Sequence, residues 1–283
     1  MNGPQPAIPL RLVILDMDGV LYRGDLPIPG ATDLARRLHQ AGLKVRYATN
    51  NSMFTRAEYA ERLDSMGITA SPEEIVTSTS ATIEHLRRHE PSVLSVLVVG
   101  AQGMVDELRT TGLAVRHAGE PGDLSELPAV DAVVVGLDPE IDASRLDAAA
   151  DAIRAGARFI ATNADARYPT PTGFRPGAGA IVAALSDATG VAPLVIGKPA
   201  PAMFATTLEG AGVTPAEAVV IGDNPESDVA GAHRSGIESI LVLTGVTDAD
   251  AVNELTGEQR PDHVAADPEA AWELLAGRLR EAG

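Results

Sequence analysis

The sequence contains no cysteine, which excludes disulfide bonds and thiolate ligands to metals and agrees with a reducing compartment. Aromatic residues are also scarce, at 3% of the 283 residues, whereas hydrophobic residues of all kinds reach 45%. A hydrophobic core must therefore be built mainly from valine, leucine, isoleucine and alanine. No apolar run approaches the roughly 20 residues of a membrane helix, and residues 1–6 lack the basic and apolar stretches of a secretory signal. We therefore expect a soluble, cytoplasmic protein.

Positive charge is scarce as well, because 22 lysine and arginine residues face 39 aspartate and glutamate residues, which gives a net charge of −17. Such a balance repels nucleic acid and anionic membranes at long range, so we expect neither as a partner. A phosphorylated small molecule would also be repelled unless a local cationic site attracts it. Only two of the basic residues are lysines, Lys44 and Lys198, and each is a candidate for a role that arginine cannot fill.

Segments with strand patterns and segments with helix patterns alternate along the chain, which predicts parallel sheets with helices on both faces. The first alternation begins with the apolar run Leu12–Leu15, the pattern restarts near residue 92, and a third section begins at Pro193. At about 100–200 residues per domain, the chain has the length of one large or two ordinary domains. The predicted fold class is therefore α/β.

Three connecting segments carry specific predictions. Residues 19–29 are rich in glycine and proline and predict a loop or a small flap. Ser71–Glu74 has the capping-box pattern with proline at the first helical position, which predicts the start of a helix. Residues 163–179 predict a long loop without secondary structure, and such a loop inside a compact domain is usually functional. Gly177–Gly179 lacks the third glycine and the preceding strand of a dinucleotide-binding motif, which makes that interpretation weak.

Polar residues collect where several of the predicted strands end. These residues are Asp16, Asp18, Thr49, Asn50, Lys198, Asp223 and Asp228. Because a parallel sheet brings the carboxyl ends of its strands to one edge, they can share one site. Several carboxylates with backbone oxygens and water form an octahedral oxygen site that suits Mg²⁺, and such a cation would offset the repulsion of a phosphate. Each residue alone also has an ordinary explanation as a turn, a helix cap or a solvated lysine. The combination favours a shared site.

Four short motifs carry a family resemblance. They are Asp16-Met17-Asp18-Gly19, Thr49-Asn50-Asn51, Gly197-Lys198-Pro199 and the run Gly222–Asp228. In this order they resemble the four motifs of the haloacid dehalogenase superfamily. Leu15–Tyr22 and Ala161–Asp165 further resemble its para-nitrophenylphosphatase-like branch, which includes glycerol-phosphate, phosphoglycolate, pyridoxal-phosphate and nucleotide phosphatases. The resemblance implies a three-layer, Rossmann-like parallel-sheet core at 1–88 and 189–283, with a smaller α/β cap, a substrate-specificity domain, inserted at 89–188.

The resemblance also implies a role for each matched residue. Asp16 would be the nucleophile that forms an aspartyl-phosphate, and Asp18 would be the general acid and then the general base. Mg²⁺ would be bound by Asp16, by the backbone carbonyl of Asp18 and by Asp223, with Asp228 as a direct or water-mediated ligand. Glu226 stands where related sequences often have aspartate, and we leave it out of the predicted ligand set. The predicted phosphate-binding residues are Thr49, Asn50, Asn51 and Lys198.

The resemblance does not determine which residues of the cap contact the leaving group. Asn163, Asp165 and Arg175 lie in the predicted long loop and are candidates for contact with the leaving group, with Arg175 the best suited to an anionic or hydroxylated one. They could equally well only hold the loop or pack the cap. Caps in this branch mediate dimers in some members, so the resemblance also leaves a homodimer open.

The predicted activity is a Mg²⁺-dependent hydrolysis of small organic phosphomonoesters, with glycerol phosphate or another sugar or polyol phosphate as the substrate. One alternative is phosphoryl transfer to a second hydroxyl, as in a mutase. Related mutases usually carry a helical cap soon after the first motif, however, and only about 30 residues separate Asp18 from Asn50 here. A second alternative is a non-catalytic phosphate-binding domain. It is disfavoured because Asp16, Asp18 and Lys198 are all present.

Overall fold

The computed structural model describes residues 9–120, 129–170 and 173–282, and it contains both strands and helices along these ranges. The strands are β1 (Leu12–Asp16), β2 (Tyr22–Arg23), β3 (Leu26–Pro27), β4 (Lys44–Thr49), β5 (Ile75–Thr77), β6 (Ser95–Val99), β7 (Ala114–His117), β8 (Ala132–Val135), β9 (Arg158–Ala161), β10 (Arg167–Thr170), β11 (Gly173–Pro176), β12 (Leu194–Val195), β13 (Ala218–Gly222), β14 (Glu238–Val242) and β15 (His263–Ala265). The α-helices are α1 (Ala31–Gln40), α2 (Arg56–Ser65), α3 (Ser78–His89), α4 (Gln102–Arg109), α5 (Ala143–Arg154), α6 (Ala178–Thr189), α7 (Pro201–Ala211), α8 (Ala230–Arg234), α9 (Ala249–Val252) and α10 (Pro268–Ala282).

The first sheet has six strands in the order β15-β14-β13-β1-β4-β5. β1 pairs in parallel with β13 and with β4, which places Leu15 opposite Ile221 and Asp16 opposite Ala48. Residues 12–15 have almost no exposed surface, because both faces of a parallel sheet are covered. The continuous apolar run of β1 therefore fits an inner strand, and the chain becomes polar where the strand ends.

The second sheet has five strands in the order β12-β9-β8-β6-β7, and its pairs are parallel. Its core contains valines and alanines of β6, β8 and α5, together with Phe159 and Leu185. The two parallel sheets confirm the predicted α/β class. The core also confirms that aliphatic side chains, rather than aromatic ones, make up most of the packing. Among the described residues, none of the helices combines the length and the apolar character that crossing a membrane requires. The cytoplasmic location stays a prediction, and residues 1–6, on which it partly depends, lie outside the described residues.

The described residues form two compact units. The first lies within Met1–Ala48, Ala60–Ile75 and Lys198–Gly283, and the second lies within Thr49–Tyr59 and Val76–Gly197. These bounds differ from the predicted division at residues 88 and 188, because residues 49–59 and the helix α3 belong to the second unit. That the inserted unit determines specificity stays a prediction.

The predicted start of a helix at Ser71 is wrong, although a helix does follow further along the chain. The Glu74 carboxylate does accept a hydrogen bond from the Ser71 backbone N–H at 2.9 Å, as in a capping box. It closes a single turn, however, and the β-branched residues Ile75-Val76-Thr77 then form β5 at the edge of the first sheet. The helix α3 begins only at Ser78, after Thr77 accepts a hydrogen bond from the Ser80 N–H at 3.0 Å.

The prediction of a structureless loop over residues 163–179 is also wrong in part. β10 and β11 pair in antiparallel fashion, with Tyr168 opposite Arg175. The Arg167 guanidinium lies 5.0 Å from the centre of the Phe174 ring, and such cation–π contacts across two strands stabilise a short pair. Residues 171–172 lie outside the described residues. The flap predicted at residues 19–29 contains the antiparallel pair of β2 and β3.

Candidate active site

Asp16 is the last residue of β1, where the apolar run of the strand stops. Its side chain is 12% exposed, and its Oδ1 accepts a hydrogen bond from Lys198 Nζ at 2.6 Å. Lys198 Nζ also donates to Asp228 Oδ1 at 2.6 Å. The ammonium group therefore bridges two carboxylates that are far apart in the sequence.

Lys198 is a buried cation, with only 4% of its side chain exposed. Burial alone lowers the pKa of a lysine, but the Asp16 and Asp228 carboxylates more than offset this and raise the pKa of Lys198 above its usual range. It is therefore charged at neutral pH. A compact ammonium on a flexible stem fits between two acids, whereas the other lysine, Lys44, donates to the backbone carbonyl of Ala211 and has a structural contact.

Asp223 and Asp228 complete the cluster from the segment after β13. Asp223 follows the strand directly, and Asp228 lies in a π-helical turn, Pro225–Val229. One carboxylate oxygen from each of Asp16, Asp223 and Asp228 lies within 4.8 Å of the others. The Asn224 backbone N–H donates to Asp228 Oδ2 at 3.2 Å, and the Val246 N–H donates to Asp223 Oδ2 at 2.7 Å.

The charges of this cluster do not balance. Burial is the main cause that raises the pKa of Asp16, and Asp228 and Asp223 raise it further, whereas Lys198 lowers it. Burial followed by the charge of Asp228 raises the pKa of Asp223 to about 6. Three carboxylates face one ammonium, which leaves an excess of negative charge in a poorly solvated place. Oxygen ligands in such an arrangement fit a hard divalent cation, which would remove the excess.

Three glycines leave the space that the two acids after β13 occupy. A methyl group on Gly19 would lie 2.3 Å from Asp223 Oδ2, and one on Gly245 would lie 1.7 Å from the same atom. A methyl group on Gly222 would lie 2.3 Å from the Cβ of Asp228. Gly19 also has a φ of 82°, in the left-handed region that favours glycine. Any side chain at these positions would push a carboxylate out of the cluster.

Asp18 lies two residues after Asp16, and it is exposed. Partial loss of hydration still raises the pKa of its carboxyl, while the guanidinium groups of Arg62 and Arg23 lower it. Both arginines belong to the same unit. Arg62 lies over the ring of Tyr22 at 4.6 Å, and it donates to the Gly24 carbonyl at 2.6 Å. Asp18 is thus an accessible acid beside two fixed cations.

The predicted phosphate-binding segment follows β4, whose residue Ala48 is opposite Asp16. Thr49 Oγ1 accepts a hydrogen bond from the Asn51 N–H at 3.2 Å, and Asn51 Oδ1 accepts one from the Met53 N–H at 2.8 Å. Asn50 Nδ2 donates to both carboxylate oxygens of Asp165, at 3.1 Å each. The structure thus joins a predicted phosphate-binding residue to a predicted substrate residue, and the phosphate contact itself stays a prediction.

The other two cap candidates have different surroundings. Asn163 is buried, and its Nδ2 donates to the Asn50 backbone carbonyl at 2.8 Å. This contact supports the alternative in which Asn163 holds the loop. Arg175 is exposed on β11, next to Phe174, which keeps 62% of its surface exposed. Contact of Arg175 with a leaving group stays a prediction.

Sequence reasoning missed the segment after β14 and the arginine that contacts it. Arg23 Nε donates to the Thr244 carbonyl at 2.6 Å, and Thr247 Oγ1 donates to the Asp223 carbonyl at 2.8 Å. One signal was available. Residues 244–247 follow an apolar strand of the first sheet, and the rule that polar groups at strand ends meet at one edge applied to them too.

A family model described as haloacid dehalogenase-like hydrolase matches residues 13–114, and one described as HAD-hydrolase-like matches residues 195–271. The acid sugar phosphatase of Staphylococcus aureus is 36% identical over 242 residues, which cover 86% of this chain and 90% of that protein.

Two solved structures are similar along nearly the whole chain. The p-nitrophenyl phosphatase of Archaeoglobus fulgidus has a TM-score of 0.84 and 32% identity, over 94% of this chain and 99% of that one. The glycerol phosphate phosphatase of Mycobacterium tuberculosis, solved in complex with magnesium, has a TM-score of 0.80 and 34% identity, over 93% of this chain and 77% of that one.

Proposed function

Because the chain belongs to the haloacid dehalogenase-like hydrolase family and is a phosphatase, we propose that it is a magnesium-dependent enzyme for small sugar or polyol phosphates, such as glycerol phosphate, and that Asp16 becomes phosphorylated during turnover. The observation that carries this proposal is the cluster of Asp16, Asp223 and Asp228 around Lys198. It combines a carboxylate at a strand end, suited to act as the nucleophile, with two further carboxylates suited to bind a cation and with a buried ammonium group.

In the first step, an Asp16 carboxylate oxygen attacks the phosphorus atom, and the bond between phosphorus and the alcohol oxygen breaks. Asp18 gives its proton to the departing oxygen, which leaves as a neutral alcohol. The raised pKa of Asp18 favours the protonated form that this step needs. Lys198 holds Asp16 in position through its 2.6 Å hydrogen bond and opposes the negative charge that develops on the transferring group.

In the second step, a water molecule attacks the phosphorus atom of the aspartyl-phosphate, and the bond between phosphorus and Asp16 breaks. Asp18, now a carboxylate, accepts the proton of the water. Asp16 is regenerated as a carboxylate, and inorganic phosphate leaves. Both acids return to their starting states, so no other reactant is consumed.

Asp16 and Asp223 would bind the magnesium ion, with the Asp18 backbone carbonyl as a further ligand and Asp228 in support. The cation would neutralise part of the phosphate charge and orient the phosphoryl group. Asp228 is itself held by Lys198 and by the Asn224 N–H. Its support of the site therefore includes fixing Lys198 between the two acids.

We further propose that Thr49, Asn50 and Asn51 supply donors to the phosphate oxygens and that the second unit selects the leaving group. The segment after β4 is held by hydrogen bonds at each of these residues, which gives its donors a fixed direction. Arg175 is the candidate of this unit for contact with a hydroxylated or anionic leaving group, because it is an exposed cation on a short strand pair.

The test is a comparison of kcat/KM over a panel of phosphomonoesters with added Mg²⁺. The panel contains glycerol phosphate, sugar phosphates, phosphoglycolate, pyridoxal phosphate, nucleotides and p-nitrophenyl phosphate. We expect sugar or polyol phosphates to rank first, with release of one inorganic phosphate per alcohol. Appearance of the phosphoryl group on a second hydroxyl would instead indicate a mutase, and a higher rank for nucleotides would contradict the substrate class.

The mechanism is tested separately with Asp16→Asn. This variant keeps the shape of the side chain but removes the nucleophile, so we expect no measurable turnover. Asp64→Asn is the matched control, because Asp64 is exposed on α2. Chelation of the metal should abolish turnover reversibly in the wild type and in the control. Normal turnover by Asp16→Asn would overturn the mechanism.

A further inference from the structure

A short segment connects the two halves of the acidic cluster. Residues Thr244–Thr247, which we call the 244–247 segment, follow β14 at the edge where Asp16 and Asp223 lie. The segment contacts the chain after β1 on one side and the chain after β13 on the other. Both neighbours carry residues of the proposed reaction.

The first side is the turn that begins at Asp18. Thr244 Oγ1 donates to the Gly19 carbonyl at 2.7 Å. Arg23, which follows that turn in β2, donates from Nε to the Thr244 carbonyl at 2.6 Å and from Nη2 to the Gly245 carbonyl at 3.0 Å. One planar guanidinium thus binds two consecutive carbonyls, an arrangement that lysine cannot reproduce.

The second side is Asp223. The Val246 N–H donates to Asp223 Oδ2 at 2.7 Å, and Thr247 Oγ1 donates to the Asp223 carbonyl at 2.8 Å. Gly245 lies so close that a methyl group there would overlap Asp223 Oδ2. The position of this carboxylate is therefore set by the backbone of the 244–247 segment.

We propose that Arg23 and Thr244 are positioning residues that, through the 244–247 segment, fix the acid Asp18 and the metal-binding Asp223 in one geometry. The inference rests on the proposed function of these two acids. Thr244 has no part in the proposed proton transfer, and Arg23 acts on the Asp18 carboxyl only through its charge, which lowers the pKa of that group. One set of hydrogen bonds joins the 244–247 segment to Arg23 and Gly19, and a second set joins it to Asp223. Loss of the first set therefore lets the segment move and weakens the hydrogen bonds to Asp223.

The test is the Mg²⁺ affinity of the substrate-free protein, measured by calorimetric titration of Arg23→Ala, Thr244→Val and the double variant. Residues that orient a metal ligand change affinity by about 10–100-fold when replaced, and we expect about tenfold for each single variant. Because both residues act through one segment, the double variant should lose less than the product of the two single effects. Thermal unfolding of each variant in the absence of metal shows whether it is folded.

Three further variants make the outcome specific. Thr244→Ser keeps the hydroxyl donor and should bind Mg²⁺ like the wild type. Arg36→Ala is the matched control for loss of an arginine, because Arg36 is exposed on α1 and pairs with Asp33. If Arg23→Ala does not fold, Arg23→Lys replaces it in the test. The lysine can contact only one of the two carbonyls, so this variant should also bind Mg²⁺ more weakly than the wild type.

Kinetics give a second readout. With p-nitrophenyl phosphate the leaving group needs little help from an acid, whereas an alkyl phosphate depends on Asp18. We expect Thr244→Val, which leaves the charge of Arg23 beside Asp18 in place, to lower kcat more for the alkyl phosphate. Wild-type Mg²⁺ affinity in both variants, or fully independent effects in the double variant, would overturn the positioning role alone. A wild-type protein that binds no Mg²⁺ would overturn the proposed function and the positioning role with it.

Discussion

Replacing Gly245 by alanine adds one methyl group at the closest approach between the 244–247 segment and the acidic cluster. The new Cβ would lie 1.7 Å from Asp223 Oδ2 and 2.2 Å from Asp223 Cγ, whereas such contacts essentially never fall below 3.0 Å. The carboxylate must therefore move by about 1.3 Å, or the backbone of the segment must retreat by the same amount. The backbone of Gly245 does not have a positive φ, so alanine meets no conformational barrier of its own there.

Two free-energy terms follow from this shift. The hydrogen bond from the Val246 N–H to Asp223 Oδ2 is lost, and a bond to a charged group contributes about 1.5–3 kcal/mol. Overpacking a tight site adds about 1–3 kcal/mol. Metal binding suffers as well, because Mg²⁺ requires near-octahedral geometry at about 2.0–2.1 Å from its ligands. We expect Gly245→Ala to lower the unfolding free energy by about 2.5–6 kcal/mol and the Mg²⁺ affinity by at least about tenfold.

The assay combines urea unfolding with calorimetric Mg²⁺ titration of the metal-free protein. Gly277→Ala is the matched control, since Gly277 lies in the helix α10 with open space where the methyl group would go. Alanine is the better helix former, so this control should be neutral or more stable by about 0.5–1 kcal/mol, with unchanged Mg²⁺ affinity. If Gly245→Ala kept both its stability and its Mg²⁺ affinity, the steric argument for the position of Asp223 would be refuted.

Three other changes test the electrostatics of the site. Lys198→Met leaves the buried carboxylates of Asp16 and Asp228 without their cation. We expect the unfolding free energy, measured in urea, to fall by about 3–5 kcal/mol and kcat to fall by at least about 100-fold. A fall in kcat of less than about tenfold would contradict the bridging role. In metal-free protein, the pKa of Asp223 is raised to about 6 in the folded state, so the fold favours the protonated carboxyl. The stability that this preference contributes is fully present below about pH 4, and it falls by about 3 kcal/mol as the pH rises through 6. Urea unfolding at several pH values should show this fall in the wild type and less of it in Asp223→Asn, and Mg²⁺ should stabilise the wild type more at neutral than at acidic pH. Asp165→Asn removes one of the two carboxylate oxygens that accept hydrogen bonds from Asn50. The KM of a phosphomonoester should therefore rise by about tenfold, with a smaller change in kcat. The control Asp151→Asn, at an exposed position, should leave both constants unchanged.

The fold could be predicted to a large extent because its elements are strongly periodic. The continuous apolar run Leu12–Leu15 indicates a buried strand of a parallel sheet, and β1 matches this run to within one residue. β5 was missed because three residues carry too little pattern, and its pairing depends on a neighbour that is distant in the sequence. The pair of β10 and β11 was missed for a related reason. Its stabilising contact joins Arg167 and Phe174 across the two strands, which local composition does not show.

The acidic cluster could be located for a different reason. A parallel sheet fixes where strand ends meet, so Asp16 and Asp223 were expected at one edge before any contact was known, and the structure brings them together with Asp228 and Lys198. The support of this cluster had only one signal in the sequence, namely the position of residues 244–247 directly after an apolar strand. The individual hydrogen bonds of Thr244 and Arg23 could not be predicted, because they go to backbone carbonyls and every residue type carries one.

The charge of the whole chain and the charge of the cluster lead to the same requirement. A protein with a net charge of −17 repels a phosphate at long range, and screening shortens that repulsion to about 8–10 Å at physiological salt. Within that range the local charges decide, and here three carboxylates outnumber the single ammonium of Lys198. The cluster in this state would repel the phosphate as well. The cation that we propose would reverse the sign of this cluster. Binding of the metal and binding of the substrate should therefore depend on each other, with each raising the affinity for the other by the same factor.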